Sequence, residues 1–361
     1  MRKKVLVAGF ATRHVVQSAQ GAGYEVYAVD HFCDQDLALY ARETLPFEEL
    51  DDLFPAVEEM CRRHTPDIIV ATSGAEALPA RNLCGTPPER VRRFLDKLMT
   101  HQFFADLGIT TPALIPDGTY PSMLKPRFGS GGWRNKVVET GEARMAWVGK
   151  FGDIPSISQE VVDGVPCSVC CIADGSAAVA VATNRQILRG TNDARYGFSG
   201  SVTPFRDTAQ EHLVSTAERI AAASGCLGTI GIDFVSGKDL WAIEINPRFQ
   251  ATLDTVEMAT GMNLFSAHIR ACGGILPETR PSCRQVACRK ILFADHDLMV
   301  NTSLLRLFPT VADIPWPGTS FEEDQAVISV YGWGASEEAA ETLLDKHIRT
   351  VRQYMDGRLY G

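Results

Sequence analysis

Long apolar runs are missing from this chain of 361 residues, and so is any excess of positive charge. No segment approaches the roughly 20 consecutive apolar residues that span a bilayer, which excludes a membrane-spanning helix and a membrane partner. Lys and Arg number 35 against 44 Asp and Glu, a net charge of -9. Coating nucleic acid is therefore excluded as the main task, because that binding rests on clustered cations neutralising phosphates. There is no internal repeat, no low-complexity tract and no regular cysteine framework; ten scattered cysteines fit a reducing cytoplasm better than an oxidised secreted scaffold. The one CxxC, Cys167 to Cys170, has strand character that turns its two thiols to opposite sides, and Cys283 with Cys288 supplies no second zinc pair. His14, His31, His101 and His268 lack ligand spacing and read as structural. A GK[ST] loop and a full GxGxxG are also absent. The opening MRKKVLVAGF has a basic tip but only a short apolar stretch, and reads as a first buried strand rather than a leader.

What is present is a change of rhythm along an ordinary soluble composition, 45% hydrophobic and 22% charged, in a chain long enough for two or three domains. KVLVAGF, YEVYAVD and PDIIVATSG, separated by helix-like spacing, imply an open parallel sheet whose loops at the carboxyl ends of strands are free for ligands. Asp30, after the second of these, either meets a ribose or closes a turn. The prolines of TPPERVRRFLDK break this unit near residue 90. SISQEVV, PCSVCCIAD, AAVAVATNRQ, GTIGIDFVSG and DLWAIEIN then follow one another like hairpins, which predicts antiparallel α+β structure to about residue 275. TAQEHLVSTAERIAAAS reads as an amphipathic helix ended by Gly225, and ARYGFSGSVTP, Ala194 to Pro204, as a loop whose glycines allow movement. CRKILFA, QAVISVYGWG and a last helix fill 276–361. The expected fold class is α/β joined to α+β, with domains 1–90, 91–275 and 276–361.

The densest chemistry is in WAIEINPRFQ. Glu244, Asn246 and Arg248 alternate along a strand and so share one face. A carboxylate and an amide oxygen suit magnesium, and an arginine grips phosphate or carboxylate in fork geometry. Asp233 lies eleven residues before Glu244 across the SGKD turn, so a hairpin brings the two carboxylates together around one metal. Upstream, LKPRFGSGGWRN sets Lys125 at a strand end before Gly129, Ser130, Gly131 and Gly132, whose backbone N–H groups can approach phosphate closely. Gln159, Glu160, Val161 and Val162 end a strand where backbone groups can read an adenine edge.

In this order the elements resemble the ATP-grasp superfamily of carboxylate ligases along nearly the whole chain. The resemblance implies an N-terminal open parallel-sheet domain, a central ATP-binding domain with a flexible glycine-loop subdomain at about 115–165, and a small C-terminal subdomain. It also implies Lys97 and Lys125 as phosphate lysines, Gln159 to Val162 as adenine hinge, and Asp233, Glu244 and Asn246 as ligands of Mg2+, with Mn2+ as an alternative. Arg248, with Lys125, takes the catalytic role. The start AVDHFCDQDL and the tail ADIPWPGTSFEEDQAVISVYGWG are similar to uncharacterised carboligases related to biotin carboxylase, with more distant likeness to carbamoyl-phosphate synthase large subunits and the pyrrolysine-biosynthesis ligase. One departure is that DGVPCSV has Pro166 and Cys167 where many members carry a ribose-holding acid, which leaves the ribose unassigned.

The implied reaction is a two-step one. A carboxylate attacks the γ-phosphate of ATP to give an acyl phosphate, and an amine then displaces phosphate. The rivals are a carboxylase that activates bicarbonate and an ATP-binding sensor without chemistry. Substrate contacts are Ser73, Gly74 and Glu76, which either line the cleft or cap a turn, together with Arg185 and Arg248. The expected partners are small carboxylate and amine molecules, and a homodimer is compatible with the sequence.

Overall fold

Alternation of apolar residues builds the first sheet. A computed structural model describes residues 2–190, 194–355 and 359–360. In it β1 (Lys4–Ala8), α1 (Arg13–Gly21), β2 (Glu25–Asp30), β3 (Glu43–Pro46), α2 (Leu53–His64) and β4 (Ile68–Ala71) form a parallel sheet in the order β3-β2-β1-β4. Val5, Val7, Val26 and Ala28 face Val15, Val16 and Ala19 of α1. Leu6, Ala8, Tyr27 and Val29 pack with Leu53, Val57 and Met60 of α2. Both faces of the sheet are thus covered by the period of two that strands impose.

Two helices, α3 (Pro88–Leu95) and α4 (Lys97–Asp106), lead into a small antiparallel sheet of β5 (Ser122–Pro126), β6 (Lys136–Val138) and β7 (Ser156–Gln159), in the order β6-β5-β7. Helix α5 (Gly141–Phe151) covers it, with Trp147 buried against Leu124 and Val138.

The main sheet follows, built from β8 (Val165–Asp174), β9 (Ala178–Leu188), β10 (Phe198–Thr203), β11 (Leu227–Ser236) and β12 (Leu240–Asn246), with α6 (Gln210–Ser224) between β10 and β11. After α7 (Leu253–Thr260) and α8 (Leu264–Cys272) it gains β13 (Val286–Ala294), β15 (Val311–Ala312) and β17 (Ala326–Gly334), while β14 (Leu298–Met299) pairs with β16 (Ser320–Phe321). Its order is β12-β11-β8-β9-β10-β13-β17-β15 and the pairings are antiparallel. Through the β10–β13 pairing the sheet runs without a break past residue 276. The amphipathic α6 packs on one face and α7 with α8 on the other, and α9 (Glu337–Tyr354) closes the far end over β13 and β17. Cys167 and Cys170 fall in these two opposite cores, as strand alternation requires.

One expectation needs correction. The stretch expected as a mobile loop at 194–204 is largely β10, paired on both sides. A side chain at Gly200 would meet the Arg289 carbonyl at 2.1 Å, so its glycine serves close strand packing rather than movement. No helix among the described residues is long and apolar enough to cross a membrane.

Candidate functional site

The hairpin of β11 and β12 sets Asp233 directly opposite Glu244, with a bulge just beyond. Ile243 has no partner in that ladder, so Ile243 and Glu244 both line the cleft while Ala242 and Ile245 stay in the core. Asn246 Nδ2 donates to Asp233 Oδ2 at 3.1 Å and Gln186 Nε2 donates to Oδ1 at 3.0 Å. Burial first, then the Glu244 charge, pushes the Asp233 carboxyl up to about 7 against Arg248. Two carboxylates crowded in this way, with an amide oxygen at Asn246, are a hard-oxygen set that fits Mg2+. Arg248 Nη2 donates to Asn246 Oδ1 at 3.2 Å and its Nε to Glu76 Oε1 at 2.7 Å.

The two lysines converge on this hairpin. Asp96 caps α4 by accepting the Leu98 N–H, and Arg127 grips the same carboxylate while its carbonyl accepts the Lys97 N–H at 2.9 Å. That clamp fixes the start of α4 to the end of β5, hence Lys97 beside Lys125. Lys97 Nζ reaches Glu244 Oε1 at 3.3 Å and the Gly129 carbonyl at 2.5 Å. Lys125 is buried, donates to Gln159 Oε1 at 2.9 Å, and is lowered to about 8 by burial, with Glu244 opposing and Lys97 reinforcing. Gly129, Gly131 and Gly132 have φ of +109°, +79° and +71°. A Cβ at Gly132 would meet the Tyr196 carbonyl at 2.4 Å.

Along the edge, Glu160 is tied to Ala113 twice, through its own N–H and by accepting the Ala113 N–H at Oε1, 2.8 Å. Its side chain is therefore spoken for, and its backbone carbonyl and the Val162 amide are what this turn offers a ligand. Glu160 and Val162 line the cleft, whereas Val161 is 39% exposed and lies outside the lining.

One cavity of about 600 Å3 takes in Lys125, Ser130, Gly131, Gly132, Glu160, Val162, Asp233, Glu244, Asn246 and Arg248. Ser73 lines it as well. Gly74 and Glu76 act one step back, the Gly74 N–H donating to Glu76 Oε2 at 2.7 Å and Glu76 holding Arg248. Arg185 is placed elsewhere. It pairs with Glu337 and Glu341 of α9 at 2.6 and 2.9 Å, and its neighbour Gln186 faces the cleft. The sequence carried both residues in TNRQ; only the pairing of β9 decides which of two neighbours points inward. Arg127 and Gln186 had no motif to mark them. His268 was read as structural, and it does meet Cys84 and Cys272, ligand atoms lying within 4.8 Å of one another. Its Nδ1 accepts the Thr229 N–H at 2.9 Å, so its Nε2–H donates to the Cys84 carbonyl at 3.0 Å. With both nitrogens engaged the ring is a brace rather than a metal ligand.

Residues 94–252 match the family model for the ATP-grasp domain. The chain carries an ATP-grasp domain. It is 26% identical over 354 residues to an uncharacterized protein of Methanocaldococcus jannaschii, spanning 91% of this chain and 87% of that one. Its ATP-grasp fold is that of solved structures below 20% identity. The biotin carboxylase of Campylobacter jejuni, as its β-γ-ATP complex, superposes with a TM-score of 0.77 at 17% identity over 100% of this chain and 92% of its own. The L-amino acid ligase of Bacillus licheniformis gives 0.72 at 15% over 99% and 98%. The pyruvate carboxylase of Rhizobium etli gives 0.78 at 16% over 96% of this chain, which spans 37% of that longer one.

Proposed function

We propose that the chain is an ATP-dependent carboxylate–amine ligase. The observation that carries this reading is the convergence in one cavity of Lys125, the glycine loop, the Asp233–Glu244 pair and the clamped Arg248, with Lys97 ion-paired to Glu244 at its edge. Asp233, Glu244 and Asn246 would hold Mg2+, which supplies charge neutralisation on the nucleotide phosphates. Lys97, beside Glu244, and Lys125, from the floor, would offset charge on the phosphates, and the backbone N–H groups of Gly129 to Gly132 would face them. The acid substrate attacks the terminal phosphorus and ADP leaves. The amine then attacks the activated carbonyl and phosphate leaves, with Arg248 held by Glu76 against the charge that develops. Positioning and electrostatics do this chemistry, so no nucleophilic side chain is required.

Phosphate release screened over paired acids and amines with Mg-ATP tests the reading. Turnover is expected only with a matched pair, and Glu244→Gln is expected to reduce kcat by about 100-fold or more with folding retained. Release that depends on bicarbonate alone would favour the carboxylase reading, for which the fold likeness to biotin carboxylase is the support. Binding of Mg-ATP with no release under any pair would leave the sensor.

A further inference from the structure

Cys84 and Cys272 are far apart in sequence and meet in space. Cys84 lies after β4, on the stretch that carries the chain out of the parallel-sheet unit toward α3, and Cys272 is the last residue of α8. Their two thiols and a ring nitrogen of His268 lie within 4.8 Å of one another. No step of the nucleotide chemistry uses any of the three.

The fold holds both residues in place. The Cys84 N–H donates to the Ile69 carbonyl at 2.8 Å, and the Cys84 carbonyl accepts from His268 Nε2 at 3.0 Å. Cys272 ends a helix whose Leu264, Phe265 and Ala271 are buried in one core with Cys170 and Ile172 of β8. Cys84 and Cys272 are themselves partly exposed, next to the exposed Gly273, Gly274 and Ile275, whereas Cys167, Cys170, Cys171, Cys226 and Cys288 are buried. The two thiols are also unequal. A hydrogen bond from the Cys272 thiol, against burial and with His268 assisting, holds the Cys84 thiol below its ordinary value, while the same bond and then burial push Cys272 up. Cys84 is therefore the readier nucleophile, and Cys272 keeps the proton.

We propose that Cys84 and Cys272 form a reversible dithiol–disulfide site, oxidised by a low-molecular-weight disulfide and restored by a thiol. The Cys84 thiolate attacks one sulfur of the disulfide RSSR, the S–S bond breaks, and the first thiolate leaves and takes up a proton. Cys272 then loses its proton to solvent and attacks the Cys84 sulfur, which forms the internal bond and expels the second thiolate. The chain gives up two electrons and two protons, and RSSR becomes two RSH. The bond ties the exit from the parallel-sheet unit to α8 and closes a loop that contains all of residues 94–252, the ATP-grasp match. Such a cross-link stabilises by restricting the unfolded chain. The site stands whether or not the ligase reading does, because nothing in it calls on the nucleotide.

The test equilibrates the full chain with reduced and oxidised glutathione at varied ratio, blocks free thiols with N-ethylmaleimide, and reads intact mass and mapped peptides. The oxidised chain is expected to lose two hydrogens, to show one cross-link joining the Cys84 and Cys272 peptides, and to regain both thiols in dithiothreitol. Its Tm should stand about 5 °C or more above that of the reduced chain. Cys272→Ser should stop at the mixed disulfide of Cys84 with glutathione, and Cys84→Ser should form no internal bond; a reduced Tm close to the parent's reports that each variant is folded. No cross-link at any glutathione ratio, a cross-link that joins other cysteines or survives in either variant, or a Tm that falls on oxidation would overturn the proposal. The parent chain decides the first and last of these outcomes without any variant.

Discussion

At the scale of one residue, the proposed nucleotide site turns on Lys125. Its ammonium is buried on β5 and, among the described residues, donates to a neutral amide, Gln159, and burial lowers it to about 8. A polyphosphate beside it would favour the charged form and raise that value. Below pH 8 the lysine is already charged, so nucleotide affinity should change little with pH on its account. Above pH 8 binding has to take up a proton, and affinity should fall as pH rises. Calorimetry at pH 8.5 in two buffers of different ionisation enthalpy should show fractional proton uptake, absent in Lys125→Met. Equal uptake in that variant would mean that the titrating group is another one. Lys125 and Glu244 were legible from the sequence because glycine loops and alternating polar strands are local patterns. Arg127 and Gln186 were not, because no local pattern marks either; Arg127 takes its place from Asp96, 31 positions away, and Gln186 from Asp233, 47 positions away.

Glu257 carries a comparable argument at the scale of elements. It sits on α7 where α1 and the start of α8 meet, accepting from Ser18 Oγ and from the Leu264 N–H, each at 2.6 Å. Burial pushes its carboxyl up to about 7 in spite of those two donors. The sign follows from proton binding: between about 4.5 and 7 the folded chain holds a proton that the unfolded chain has lost, so the stability contributed by this group is present below 4.5 and is lost as pH rises through 7. Glu257→Gln keeps an acceptor and carries no charge, so it should be more stable than the parent at pH 8, by about 1–3 kcal/mol, and equal to it near pH 4.5. Urea unfolding at the two pH values measures both. A variant less stable at pH 8 would show that the charge itself is needed by the α8 N-terminus. At this scale the sequence was most informative where apolar period decided the element, as in β1, β2, β11 and α6. It misled where glycine was read as freedom: Gly200 lies in a paired strand because the Arg289 backbone leaves room for no side chain.

The change from parallel to antiparallel pairing, and so the fold class, was legible from the order of apolar runs across the whole molecule. What fastens the parallel-sheet unit to the rest was not, because it is long-range: α1 shares an apolar core with α7 and α8, and a polar network centred on Arg13 joins the same elements. Arg13 of α1 reaches Asp254 of α7, Asp313 and the Tyr331 hydroxyl of β17, contacts that span 241 to 318 residues of sequence. Burial opposes ionisation of Asp254 and Asp313, and the guanidiniums of Arg13 and Arg289 outweigh it, so both carboxyls lie below their ordinary range. Removing the cation alone is the damaging change. Arg13→Met retains much of the side-chain length but leaves Asp254 buried without its counter-ion, and should cost about 3–5 kcal/mol at pH 7 in urea unfolding. The pH dependence separates charge from shape. In the parent, the network's stability is present above about pH 4 and is lost as pH falls through the depressed native values. In Arg13→Met the Asp254 carboxyl, which has lost its paired cation, titrates upward and is expected to be protonated in the folded chain by pH 4.5, which relieves the unpaired charge, while Asp313 keeps Arg289. The difference in stability between the two chains should therefore shrink between pH 7 and pH 4.5. A difference that stays constant across that range would assign the loss to packing around the arginine stem, and the carboxylates would then have no part in holding the two units together.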